Sequence, residues 1–237
     1  MTAPITLYQF ELCPFCHKVK AGLEVKGLAY DKVEVNPMNK KELPPGLPED
    51  APKKVPVLRF ADGEIVYDST DILDALEAKH PDRPFTPADA DRRARSDAVE
   101  AWVDDTFAQA LPTVIYGTWG ESLKAAQVTA RTSNFGFVQN IGVRAGGSLI
   151  MHQISKKILK RNGRGPKEGR AWVREEVERF EGWLGGDDFI GGAEPSLGDV
   201  AMHGALTCVR DFPIFAELME RPVLQAWYDR VQARRVP

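Results

Sequence analysis

The chain has 237 residues, 43% of them apolar and 27% charged, with a net charge of −3. That balance suits a protein with a sizeable core, long enough for two domains. It excludes the strongly basic surface that nucleic acid or an anionic membrane would select, and three cysteines are too few for a disulfide scaffold.

In chain order, Thr6–Phe10 reads as a strand, about Pro14–Lys26 as a helix stopped by Gly27, and Ala29–Val35 as a second strand. A loop rich in proline and charge runs from Asn36 to Lys54, with a short helix expected near Asn39–Leu43. Val57-Leu58-Arg59-Phe60 and Glu64-Ile65-Val66-Tyr67 flank an Asp62-Gly63 turn and predict a β-hairpin. Ser69 is the expected N-cap of a helix ending near Lys79. The order βαβ, hairpin, α is thioredoxin-like, and it puts the motif Cys13-Pro14-Phe15-Cys16-His17 at the first strand-to-helix turn.

His80–Asp91 carries three prolines and reads as a linker. The expected division is therefore 1–80, a linker at 81–91 and an all-helical part at 92–237. Helical runs are expected at about Ala90–Ile115 with a break at Pro112, then Ser122–Arg131, Val138–Arg161, Gly169–Leu184, Ser196–Arg210 and Pro222–Arg234. Ser196-Leu197-Gly198-Asp199 has the form of a capping box. Behind it Leu197, Val200, Ala201, Gly204, Ala205, Cys208 and Val209 form a core-facing stripe whose small residues permit close helix approach. Cys208 in that stripe reads as a buried apolar residue. The cations from Lys156 to Arg170 read as a solvated helix end rather than an anion site. Tyr116, Trp119, Phe135 and Phe137, flanking glycines, suit either core or an apolar substrate pocket.

The chemistry concentrates at Cys13–His17. Two thiols one helical turn apart at a helix N-terminus face free N–H groups and the positive end of the dipole, which favour thiolate. Zinc would need two further ligands, and His80, His152 and His203 are scattered. Covalent haem on Cys13 and Cys16 with His17 as axial ligand belongs to exported chains. Met1-Thr2-Ala3-Pro4 has no leader character, and no apolar run nears the ~20 residues of a bilayer span, so the expected setting is cytoplasmic. Thiol chemistry is left. Cys13 is the expected nucleophile, Pro14 fits the first helical position, and Cys16 is a resolving thiol or a spectator. His17 is expected on the helix surface. Val55-Pro56, at the start of the third strand, invites a cis bond that would set the Val55 backbone beside the thiols. Asp68-Ser69 opens a helix N-terminus suited to capping or to a ligand carboxylate.

On Cys13-Pro14-Phe15-Cys16, Val55-Pro56-Val57-Leu58, Asp68-Ser69 and the Ser196–Asp199 box, the chain resembles the cytosolic glutathione transferase superfamily with a glutaredoxin-like site. Leu7-Tyr8-Gln9-Phe10, Val33-Glu34-Val35-Asn36-Pro37, Ile154-Ser155-Lys156-Lys157, Phe189-Ile190-Gly191-Gly192 and Trp227-Tyr228-Asp229-Arg230-Val231 narrow the likeness to the prostaglandin E synthase type 2-like branch. One position departs: Phe10 stands where that branch carries a Tyr, so a hydroxyl near the nucleophilic sulfur is missing. The resemblance implies a thioredoxin-like α/β half joined to an all-α half. It implies glutathione beside Cys13 and Phe15, paired with Val55 at a cis Pro56 and met by Asp68 and Ser69. It also implies a homodimer, a small apolar or disulfide-containing second substrate, and a place for non-covalent haem. The expected activity is glutathione-dependent thiol transfer or thiol–disulfide exchange, with conjugation or isomerisation as the alternative.

Overall fold

The computed structural model describes residues 4–37, 39–48, 51–132 and 148–236. Phe135, Phe137 and the first part of the expected helix Val138–Arg161 lie outside the described residues.

Strand β1 (Ile5–Gln9) is buried along its whole length, as a central strand must be. It pairs in parallel with β2 (Tyr30–Glu34) and antiparallel with β3 (Val57–Arg59), and β3 pairs antiparallel with β4 (Ile65–Tyr67). The sheet order is β2-β1-β3-β4. The hairpin turns where expected, with Gly63 at φ +92°, a conformation only glycine adopts without strain. Helices α1 (Pro14–Val25) and α2 (Ser69–Lys79) join the sheet around a core of Leu7, Val19, Leu23, Leu58, Ile72 and Leu76.

The remaining described elements are helical. α3 (Ala90–Trp102) runs into a single π-helical turn, Val103–Phe107, then α4 (Ala108–Ala110) and, restarted by Pro112, α5 (Pro112–Ile115). α6 (Trp119–Thr132), α7 (Ser148–Arg161), α8 (Gly169–Leu184), α9 (Leu197–Cys208), α10 (Pro213–Met219) and α11 (Pro222–Arg234) follow. Among the described residues no helix is long and apolar enough to cross a membrane.

α9 is the spine of this half. Asp199 is fully buried, and its carboxylate accepts from the N–H groups of Ile190, Gly191 and Ser196, the Ser196 hydroxyl and the Trp227 indole at 2.8–3.2 Å. The capping box therefore also ties the loop before α9 to α11. The small stripe seats α9 directly on α1: a Cβ at Gly204 would lie 2.4 Å from the Lys18 backbone nitrogen. Val200, also on α9, belongs to the core that lies under the sheet.

Two local expectations are corrected. Asn39–Leu43 forms turns rather than a helix; Lys40 sits at φ +53°, and the Glu42 carboxylate accepts from the Asn36 N–H. The N-cap of α2 is Asp68 rather than Ser69: its side chain accepts from the Thr70 N–H at 2.9 Å, its φ is +74°, and Ser69 is the first helical residue, buried.

Candidate functional site

Cys13 is the N-cap of α1, in extended backbone, and Pro14 takes the first helical position. The Cys13 N–H donates to the Phe10 carbonyl at 3.0 Å, and the His17 N–H returns to the Cys13 carbonyl at 3.2 Å, so the loop is closed from both sides. The Cys13 sulfur is half-buried and lies 3.9 Å from the Val55 carbonyl oxygen, immediately before a cis Val55–Pro56 bond. Cys16, one turn on, is fully buried, and both thiols are free rather than bonded to each other.

Their environments push the two thiols apart. Cys16 donates its S–H to the Cys13 sulfur, which outweighs burial and, with the N–H groups of Cys16 and Phe15 and the Lys20 charge, holds Cys13 below the ordinary thiol range. Burial pushes Cys16 well above that range, and its bond to Cys13 adds to the effect. A pair split this way has one thiolate and one proton donor. Cys208 is buried as expected, held in its thiol form by burial and by the field of Cys13.

His17 is not a surface residue. Its ring is 2% exposed, and Nε2 donates to the Glu11 carbonyl at 2.8 Å. Burial first, then the Lys20 charge, pull its pKa down to about 3, so the ring is neutral. Placed this way it is neither a base for Cys13 nor available as an axial haem ligand. The physical reason is the turn at Glu11–Leu12, which folds the carbonyl of Glu11 back over α1.

Two charge clusters flank the motif. Burial pushes the Glu11 carboxyl up, but Lys20 at 2.8 Å, His17 and Arg210 at 2.7 Å outweigh it and hold it at about 2. Glu11 thus joins the motif loop to the residue two past the end of α9. Lys18 is 1% exposed and reaches Thr70 at 3.1 Å, Glu100 at 2.5 Å and Asp104 at 2.7 Å. It binds the thiol helix to the start of α2, where Asp68 and Ser69 sit, and to α3. The motif pattern does not reveal either cluster. One signal exists in hindsight: Glu100 and Asp104, four apart, would repel on a lone helix and call for a cation between them. Pro14, Phe15, Lys18, Val103, Asp104, Ala108, Ala201 and Ala205 line a narrow cleft beside the motif. Among the described residues there is no cluster of His, Cys, Asp and Glu that could hold a metal ion.

A thioredoxin-like sheet with a thiol at the first helix start, a cis proline facing it, and a helical half seated on that helix define one class: the chain belongs to the glutathione S-transferase superfamily. The family model for the N-terminal domain matches residues 7–84 and that for the C-terminal domain residues 150–235. Among curated relatives it is similar to prostaglandin E synthase 2 of Mus musculus, 26% identical over 96% of this chain and 69% of that protein. Protein LigF of Sphingobium sp. is 27% identical over 97% of this chain and 91% of its own. The solved structure of beta-etherase LigF superposes with a TM-score of 0.65 at 25% identity, covering 98% of this chain and 96% of that one. A glutathione S-transferase from Methylobacterium radiotolerans, solved with glutathione sulfonate, shares the fold at a TM-score of 0.57 and 22% identity, over 99% and 95% of the two chains. Members of the superfamily are in general enzymes that use glutathione as a substrate.

Proposed function

We propose that the chain is a glutathione-dependent thiol transferase with Cys13 as nucleophile. The observation that carries this is the split pair: a half-buried Cys13 held toward thiolate by an enclosed Cys16 that keeps its proton. In the proposed reaction the Cys13 thiolate attacks the glutathionyl sulfur of a mixed disulfide. A Cys13–glutathione disulfide forms, and the substrate thiol leaves and takes a proton from water. The thiolate of a second glutathione then attacks that glutathionyl sulfur, releasing glutathione disulfide and restoring Cys13. Cys16 acts as a donor to the Cys13 sulfur rather than as the resolving thiol, because burial opposes its ionisation.

In this reading glutathione lies with its sulfur at Cys13 beside Phe15. Its backbone meets Val55 at Pro56, and its γ-glutamyl carboxylate faces the start of α2 at Asp68 and Ser69, where free N–H groups and the dipole favour an anion. We extend the proposal to a homodimer in the cytoplasm and a small apolar or disulfide-containing second substrate. The haem reading is not pursued: His17 is engaged as described, and no observation at the site points to haem.

A second reading keeps glutathione as the attacking sulfur, with Cys13 only positioning it. Similarity to prostaglandin E synthase 2 and to the beta-etherase LigF favours it, as does the enclosure of Cys16. Cys13→Ser separates the two. Loss of exchange between glutathione and a glutathione–mercaptoethanol disulfide supports thiol transfer, and full activity in that variant overturns it. Conjugation or ether cleavage persisting in Cys13→Ser would establish the second reading. Light scattering at a monomer mass would overturn the dimer.

A further inference from the structure

Away from Cys13, the helical half encloses a cavity of about 550 Å³ between the starts of α6 and α8 and one face of α7. It shares no lining residue with the cleft beside the motif. Its size falls in the range of small-molecule sites, which run from roughly 300 to 1,000 Å³. We propose that it binds an aromatic acid carrying a ring hydroxyl.

Three features carry the assignment. The first is His152, 6% exposed on the cavity wall. Its Nδ1 sits 2.8 Å from the Tyr116 carbonyl, which can only accept, so Nδ1 carries the donated proton and in that tautomer Nε2 is an acceptor. Nε2 has no partner among the described residues. An acceptor on a largely buried side chain that lines a cavity can take a donor from whatever fills it, and a ring hydroxyl is such a donor.

The second is charge. Lys156 and Lys167 stand at the rim, and neither has a carboxylate within ion-pair distance among the described residues. Arg170 and Glu121 also line the cavity but are committed to each other at 2.8 Å; Arg170 is further paired with Glu217, and the other Glu121 oxygen accepts from the Thr118 N–H and hydroxyl. The free charge at the mouth is therefore positive, reinforced by the N-terminal ends of α6 and α8. The third is the apolar wall. Trp119 is 56% exposed, its ring 5.0 Å from that of His152, and Leu159 closes the floor. An exposed indole beside the His152 acceptor and two ammonium groups without an ion pair among the described residues suits a flat ring with a hydroxyl at one end and a carboxylate at the other.

Calorimetric titration of the full chain at neutral pH, with glutathione saturating, tests this with hydroxynaphthoate, naphthoate and naphthol as probes. Hydroxynaphthoate should bind tighter than naphthol by about tenfold, the combined effect of two partly exposed ammonium groups. That advantage should disappear in Lys156→Gln/Lys167→Gln. It should bind tighter than naphthoate by about fivefold, one hydrogen bond, and His152→Asn should erase that margin. The Asn amide can still donate to the Tyr116 carbonyl, and thermal melts confirm that each variant is folded. Cys13→Ser should bind all three probes as the parent does. Equal binding of acid and alcohol, unchanged selectivity in the lysine variant, or displacement of the acid by glutathione would each overturn the site.

Discussion

Replacing Lys18 with Met should loosen the joint between the thiol helix and the rest of the molecule. The ammonium group lies within 2.7 Å of both the Glu100 and Asp104 carboxylates, whose side chains are 13% and 22% exposed. Methionine fills much of the same volume and leaves two facing carboxylates without their cation. Removing one partner from a buried ionic cluster costs about 3–5 kcal/mol. In a chain of this length each kcal/mol is worth about 2–4 °C, so the midpoint of thermal unfolding should drop by roughly 6–20 °C at pH 7. Burial already raises Asp104 above the ordinary carboxylate range even with Lys18 present. In the variant, protonation removes the uncompensated charge, so the deficit should shrink as pH falls through that range. Adding Glu100→Gln and Asp104→Asn to Lys18→Met should restore part of the midpoint. Calorimetry from pH 4 to pH 8 reads all of this. A Lys18→Met midpoint within 2 °C of the parent, or no recovery in the triple variant, would refute the account.

Cys16→Ala removes the S–H that stabilises the Cys13 thiolate. The pH profile of Cys13 alkylation by iodoacetamide should therefore move to higher pH, while glutathione–disulfide exchange continues at a reduced rate; an unmoved profile argues against the donor role. Glu11 is held at about 2 in the fold against 4.5 ordinarily, with its side chain 15% exposed. Its ionisation contributes about 3 kcal/mol above pH 4.5, a contribution lost as pH falls toward 2. Glu11→Gln should show that deficit in urea unfolding at pH 7 and a smaller one near pH 3. Asp199→Ala strands several buried donors, each costing about 1–3 kcal/mol; it should yield a chain that melts far below the parent or fails to fold, whereas Asp199→Asn should be less damaged.

What the sequence disclosed tracks how local each cause is. β1, α1 and the hairpin follow from alternation, a proline at N1 and a Gly63 turn, all within a few residues. α8 and α11 match the expected bounds Gly169–Leu184 and Pro222–Arg234, because periodicity marks both, Gly185 closes α8 and Pro222 opens α11. The Ser196–Asp199 box was legible as a cap, but its reach to Trp227 was not, since that contact spans 28 positions. The site was legible as residue types: two cysteines at a helix start, a proline before β3, an acid and a serine opening α2. The Lys18 cluster was hidden because its partners lie 52 to 86 positions away. The choice of Asp68 over Ser69 as cap and the bond from His17 to the Glu11 carbonyl are instead local, and turn on backbone conformation that residue types alone do not set. α10 was missed, although Pro213 behind an extended Phe212 is the usual mark of a helix start.

The contact at Gly204 bears on how this protein can be divided or tuned. At Gly204 no side chain separates α9 from the backbone of α1, so the helix that carries the thiol at its tip rests directly on the other. An isolated sheet half, made by stopping the chain after α2, would lose the surface on which its reactive helix rests and would leave Lys18 facing water instead of Glu100 and Asp104. Such a fragment should be a poor miniature of the whole. Conversely, alterations along the side of α9 that faces away from α1 offer a handle on the reactivity of Cys13 that leaves the motif itself untouched.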